Sequence, residues 1–388
     1  MPNLKSKFLS VIAVAMIFGT SGVLAVSVQD VVNAVSYDSY RSYLGYPGDT
    51  INPLYTQAGD NRYYTSAQHD LARTNIVNHF TGLGLTTSLD PFTYSGSTYK
   101  NVVAVMPGTV HSNDIYIIGA HFDSVNCPGA DDNASGVAGI MEAARVLARF
   151  DFKATLAFIA FDLEEEGLIG SAAYASAAKA RGDTILGMIS LDMIAYNTGG
   201  NNTAEIYGRA TSNAMKLALS DAVQTYGGLT ATVLGQLDCS DHASFEANGY
   251  PAALLIEADG NPYYHTVTDN VDTPNYIDYL FATNMTKGAV GYVAGVATLV
   301  PEPGTLWLLV FAAGVAGNSR RTVHSLSWLP PNPIIQPATG GSNRRSWDRE
   351  AAAVTPRWIT RARPRLRPCS NTAASGAQPV VRPLLTAG

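Results

Sequence analysis

The chain predicts an α/β fold: a three-layer α/β/α sandwich around a central mixed, mostly parallel sheet. Two observations carry that prediction. Short, nearly all-apolar runs at 101–106, 115–120, 154–161, 187–193 and 252–257 read as strands buried on both faces, as strands covered by helices on each side must be. Helical patterns alternate with them, and such β-α alternation belongs to layered α/β domains. A third observation locates a candidate site. The unusual polar residues stand directly after these strands, where open α/β sheets gather their ligands.

The helices follow from periodicity. Residues 135–150 place Val137, Ile140, Met141, Ala144 and Leu147 on one face. Residues 168–180, 211–225 and 276–299 are further helices, and there is no internal repeat.

Four segments organise the chain. Residues 1–25 read as a signal peptide: Lys5 and Lys7, an apolar stretch from Phe8 to Val23, and small residues before cleavage after Ala25. That stretch is short for a membrane span, which needs about 20 residues. Residues 26–299 form one domain, near the upper size for a single core. Residues 300–321 hold Pro301-Glu302-Pro303, an apolar run from Leu306 to Gly317, and Arg320-Arg321. Their order resembles the PEP-CTERM sorting signal of Gram-negative bacteria. The resemblance implies an exosortase-like sorting machinery as partner and removal of the tail, hence no stable membrane span in the mature form. Residues 322–388 are Arg- and Pro-rich, without amphipathic period or lysine. That composition predicts disorder, and the missing lysine fits a frameshift-derived stretch. The expected location is exported: periplasmic, cell-surface or extracellular.

Charge excludes one class of partner. The 26–299 domain carries 28 acidic against 12 basic side chains, a formal net charge of −16. Such a field repels nucleic acid and anionic lipid. Cys127 and Cys239 are its two cysteines, too few for a cysteine-based zinc site, so a metal here must be held by His, Asp and Glu. In an exported domain the two are expected to pair as a disulfide.

Five segments carry the candidate chemistry. In Gly119-Ala120-His121-Phe122-Asp123-Ser124, residues i and i+2 of a strand share a face, which sets Asp123 to orient a metal-ligating His121. Gly129-Ala130-Asp131-Asp132-Asn133-Ala134-Ser135-Gly136 opens a helix and offers either a metal-reaching carboxylate or a helix cap. Asp162-Leu163-Glu164-Glu165-Glu166 ends a very apolar strand, an unusual place for a merely solvated turn. Asp192 lies inside an apolar strand, and a lone buried carboxylate is costly unless paired or metal-bound. Tyr263-Tyr264-His265-Thr266, with Thr268 and Asp269 after it, supplies an imidazole that can be structural or ligating.

In this order the five segments resemble the zinc aminopeptidase family that includes the bacterial leucyl aminopeptidases, family twenty-eight of the metallopeptidases. The resemblance runs from Asn101 to Asp272 and takes in Ser240-Asp241-His242 with Phe245. It implies a zinc exopeptidase or phosphorylase/hydrolase-like fold, two Zn²⁺ per chain, and a peptide substrate with a free N-terminus. It also implies metal ligands His121, Asp132, Glu165, Asp192 and His265. Of these, His121 and Asp192 serve one zinc, Glu165 and His265 the other, and Asp132 bridges. Glu164 becomes the general acid/base, Asp123 the carboxylate that orients His121, and Ser240 a residue that steadies His265. Two Zn²⁺, three ligand carboxylates and one bridging hydroxide, the nucleophile, sum to zero charge, which a partly dry cleft can hold.

One position departs from the family. Some members carry an oxyanion-stabilising tyrosine where Leu237 stands, so that donor must come from elsewhere, with Tyr263 and Tyr264 as candidates. Met193, Ile194 and Phe245 fit either an apolar pocket or the core. Alternatives are a glutaminyl cyclase-like or carboxypeptidase-like enzyme on the same fold, or an inactive surface-binding module. A serine hydrolase is disfavoured, because no Gly-x-Ser-x-Gly elbow occurs.

Overall fold

In a computed structural model, residues 26–258 and 260–300 are described, all within the compact unit Met1–Gly304. The signal segment 1–25 and the tail 322–388 lie outside the described residues, as does all of the 300–321 segment except Val300. Among the described residues no helix is long and apolar enough to cross a membrane.

The elements run α1 Val28–Asn33, α2 Tyr37–Leu44, α3 Ala67–Gly82, β1 Thr86–Tyr94, β2 Ser97–Met106 and β3 His111–His121. Then come α4 Gly136–Leu147, β4 Ala154–Phe161, α5 Ile169–Arg181, β5 Thr184–Leu191, β6 Thr203–Tyr207 and α6 Asn213–Ala222. The last four are β7 Thr230–Val233, α7 His242–Ala247, β8 Ala252–Glu257 and α8 Tyr279–Val296. The eight strands form one sheet in the order β1-β2-β4-β3-β5-β8-β6-β7. Its centre, β4-β3-β5-β8, is parallel, while β1, β2 and the β6–β8 pairing are antiparallel. The expected mixed α/β sandwich is the observed fold.

Alternation along each strand builds the layers. Val102, Ile118, Phe158, Ile189 and Leu255 face one way, into a core with α1–α4, α6 and α8. Val103, Ile117, Ile159, Phe161 and Met188 face the other, against α5 and α7. Every residue of β4 is buried, as a strand covered on both sides must be.

The connections locate the site. β3 lies between β4 and β5. α4 carries the chain from β3 to β4 over one face, and α5 carries it from β4 to β5 over the other. This reversal opens a crevice at the carboxyl end of β3.

The sequence patterns missed the outer elements for physical reasons. β1 is an edge strand containing Asp90 and Pro91, with only Phe92 buried. Edge strands tolerate proline and polar residues that a central strand cannot. The short strands β6 and β7 lack a continuous apolar run. α3 buries only the narrow stripe His69, Ala72, Ile76 and Phe80.

Candidate metal centre

His121 is the last residue of β3, and its ring is held through Nδ1, which lies 3.2 Å from the Asp123 backbone oxygen and 3.4 Å from its carboxylate. That leaves Nε2 facing the crevice. The Asp123 carboxylate also accepts the backbone N–H groups of Glu164 and Glu165, each at 3.1 Å. One buried aspartate thus sets both the imidazole and the turn after β4.

The 130–135 turn separates the roles left open by its sequence. Asn133 is the cap: its Oδ1 accepts the Gly136 N–H at 2.9 Å, and its Nδ2 donates to the Leu191 carbonyl at 2.9 Å. Asp131 braces neighbouring loops, accepting from Ala195 N and Asn261 Nδ2 at 2.8 Å each. Asp132, joined to Asn133 by a cis peptide, is left free to face the crevice. A Cβ at Gly129, where φ is +60°, would collide with the Asp132 carbonyl, so glycine is required there.

Asp132 lies between the two imidazoles. Its Oδ1 is 3.3 Å from His121 Nε2 and its Oδ2 is 3.1 Å from His265 Nε2. Asp192 Oδ1, just past the end of β5, is 3.5 Å from His121 Nε2. Glu165 Oε2 is 3.0 Å from His265 Nε2, while its Oε1 accepts the Val125 N–H at 3.2 Å. Glu164 Oε2 stands farther off, 3.9 Å from His121 Nε2. Two groups of ligand atoms converge within 4.8 Å of one another: His121, Asp132 and Glu165, and His121, Glu164 and Asp192.

The donor set fits metal. Asp132 Oδ2 is buried and makes no hydrogen bond, although His265 Nε2 is near. A buried orphan oxygen at this position is what an ion would satisfy. Imidazole and carboxylate donors without sulfur suit zinc, and also cobalt or manganese.

Electrostatics show how strongly these groups act on one another. Burial opposes charge on His121, yet Glu164, Asp192, Asp123 and Asp132 together raise it well above the ordinary imidazole value. Burial likewise opposes charge on His265, but Asp132 and Glu165 raise it to about 10. Burial favours the neutral form of Asp132, and the two imidazoles outweigh it, holding that carboxylate well below its usual range. Burial pushes Glu165 up to about 7 and Glu164 well above its ordinary value.

Left-handed non-glycine backbone occurs here as well as elsewhere in the fold. Leu163, Met193 and His265 are non-glycine residues with φ of 58°, 51° and 57°, beside or within the proposed ligands. Left-handed backbone at such residues costs free energy and gathers at functional sites.

Two expectations are corrected. Cys127 carries a free, buried thiol, so the Cys127–Cys239 bridge is absent. The electrostatic neighbours of that thiol are Asp269, Asp132 and Arg62, and burial pushes it up to about 12. Ser240 Oγ meets Ser190 Oγ at 3.1 Å rather than steadying His265, whose ring is instead stacked on Tyr264 at 3.8 Å and 19°. Ile194 and Phe245 belong to the core, and Met193 is half-buried.

No role follows from sequence pattern for the residues that hold the loops. Asp269 accepts the N–H groups of Asp131 and Asp132 at 2.8 and 3.1 Å, and Tyr276 donates to it at 2.9 Å. Its nearness to His265 was its only signal. Because it fixes the peptide of Asp132, whose carboxylate faces both imidazoles, Asp269→Asn is expected to weaken metal affinity about 10–100-fold, as loss of a group behind a ligand typically does. Competition with a chromophoric chelator measures this, and unchanged affinity would refute the role.

Residues 101–288 match the family model of Peptidase family M28. "Probable leucine aminopeptidase" of Trichophyton verrucosum is 32% identical over 212 residues, covering 50% of this chain and 56% of that protein. "Leucine aminopeptidase 1" of Paracoccidioides brasiliensis is 30% identical over 267 residues, covering 59% of this chain and 66% of that protein. The chain therefore spans a little over half of the first relative's length and 66% of the second's. The crystal structure of the Legionella pneumophila LapA aminopeptidase is similar with a TM-score of 0.60 at 25% identity, covering 70% of this chain and 74% of that one. The M28 match takes in His121, Asp132, Glu164, Glu165, Asp192 and His265.

Proposed function

We propose that this chain is an exported M28 exopeptidase that binds two zinc ions and removes N-terminal residues from peptides. The observation that carries it is Asp132, whose two carboxylate oxygens each face a different imidazole, His121 on one side and His265 on the other. Asp192 joins the first and Glu165 the second. The Lys-flanked apolar start and the Pro-Glu-Pro segment support export.

Bound zinc supplies polarisation of the scissile carbonyl and acidification of water. The chain's own residues do the rest. Asp123 fixes the His121 ring and the Glu164–Glu165 backbone. Glu164, nearly buried and outside the bridging contacts, takes the proton of the attacking water and delivers it to the leaving amine. His265 is the exposed member, its side chain 36% accessible, so a peptide approaches from that side.

Elemental analysis of metal-replete protein is expected to find two zinc ions per chain, with aminoacyl-p-nitroanilides cleaved and their N-acetylated counterparts resistant. One ion or none sinks the two-metal assignment. Ready cleavage of N-acetylated substrates moves the enzyme to another class.

A further inference from the structure

Beside the metal centre lies an aromatic cluster that the proposed chemistry does not use. Tyr63 and Tyr64 follow Arg62, while Tyr94 and Tyr99 stand near the tip of the β1–β2 hairpin. All four are half-buried. Tyr64 is the hub, its ring 4.4 Å from Tyr63, 6.2 Å from Tyr94 and 5.7 Å from Tyr99. Two phenols converge on one carboxylate: Tyr63 donates to Glu166 Oε1 at 3.1 Å and Tyr94 to Oε2 at 3.0 Å.

The cluster is continuous with the site. Glu166 directly follows the proposed ligand Glu165. On the other side, Arg62 N donates to Ser124 Oγ at 3.2 Å, and the next residue, Val125, donates to Glu165. Among the described residues no Lys or Arg head lies over the rings of Tyr64, Tyr94 or Tyr99, whereas Tyr46, Tyr174, Tyr250 and Tyr279 each have one. Each Glu166 oxygen, holding one phenol, keeps a second acceptor site.

Electron-rich ring faces around a carboxylate attract a cation, through the ring quadrupole and through charge-assisted hydrogen bonds. We propose that Tyr63, Tyr64, Tyr94 and Tyr99, gathered about Glu166, form the subsite for a lysine or arginine side chain of the peptide substrate. The assignment rests on the exopeptidase reading above and adds a preference to it.

The test uses the full chain stripped of metal by a chelator, so that turnover cannot blur binding. Calorimetric titration with Leu-Arg and Arg-Leu, against Leu-Ala and Ala-Leu, is expected to show at least one arginine peptide binding about tenfold more tightly than its alanine counterpart. Glu166→Gln and Tyr64→Ala should each erode that preference, while Asp221→Asn, which removes an exposed charge elsewhere, should keep it. If Tyr64→Ala fails to fold, Glu166→Gln alone decides. Equal affinity for arginine and alanine peptides, or a preference undiminished in Glu166→Gln, overturns the subsite. Arginine-selective binding with no hydrolysis of any peptide by the zinc-loaded chain supports the subsite and overturns the exopeptidase reading instead.

Discussion

Glu164→Gln is expected to lower kcat by about 10²–10⁴-fold, the usual contribution of a general acid–base group, while KM stays within a small factor and both metals remain. Its neighbour should fail differently. Glu165 Oε2 lies 3.0 Å from His265 Nε2, whereas Glu164 Oε2 lies 3.9 Å from His121 Nε2, so the two carboxylates serve opposite halves of the centre. Glu165→Gln should therefore lose metal in proportion to activity. Steady-state kinetics together with metal content of both variants separates the roles. Metal loss in Glu164→Gln with full retention in Glu165→Gln would reverse them, and unchanged turnover in both would end the mechanism.

The second large effect concerns Arg62, a fully buried guanidinium that makes no hydrogen bond to a carboxylate among the described residues. It donates to carbonyl oxygens instead: Phe122 at 2.9 Å, Leu54 at 3.0 Å, Gly129 at 2.7 Å, and Pro128. Phe122, Pro128 and Gly129 belong to the loop that leads from β3 into the metal-facing turn, and Leu54 to the irregular stretch between α2 and α3. Burial lowers its pKa, and Asp269, Asp123 and Asp132 act against that at longer range. Arg62→Met would keep the bulk but orphan several buried acceptors at once. Each unsatisfied group costs about 1–3 kcal/mol, so a loss of about 3–5 kcal/mol is expected in urea unfolding. Arg62→Lys should recover only part, because an ammonium cannot reproduce the planar fork. A loss under about 1 kcal/mol for Arg62→Met would show that water takes over those carbonyls.

The sequence made the central strands and the facing residues of the site legible. β4 and β8 are bounded to the residue: both are nearly all apolar, β4 stopping before Asp162 and β8 closing on Glu257. His121 and Asp192 stand at such ends, and Asp132, Glu165 and His265 in the loops that follow them. Arg62 was invisible. It lies in an irregular stretch before α3, its partners are backbone carbonyls far along the chain, and carbonyls leave no mark in sequence. The same holds for Asp269, whose work is to accept two backbone N–H groups. Ser240 shows the converse: local wording matched, but its hydroxyl turned toward Ser190.

The reduced Cys127 gives the protein a built-in clock for one motion. Its thiol is buried within the loop that leads into the metal-facing turn, and burial pushes it up to about 12, so at neutral pH almost none of it is thiolate. A thiol reagent can reach it only while that loop has lifted away from Arg62. The labelling rate in the native state therefore counts openings of the segment between β3 and α4, a local event distinct from global unfolding. Any ion gripped by His121 and Asp132, which flank Cys127 in sequence, should slow that clock, and chelation should release it.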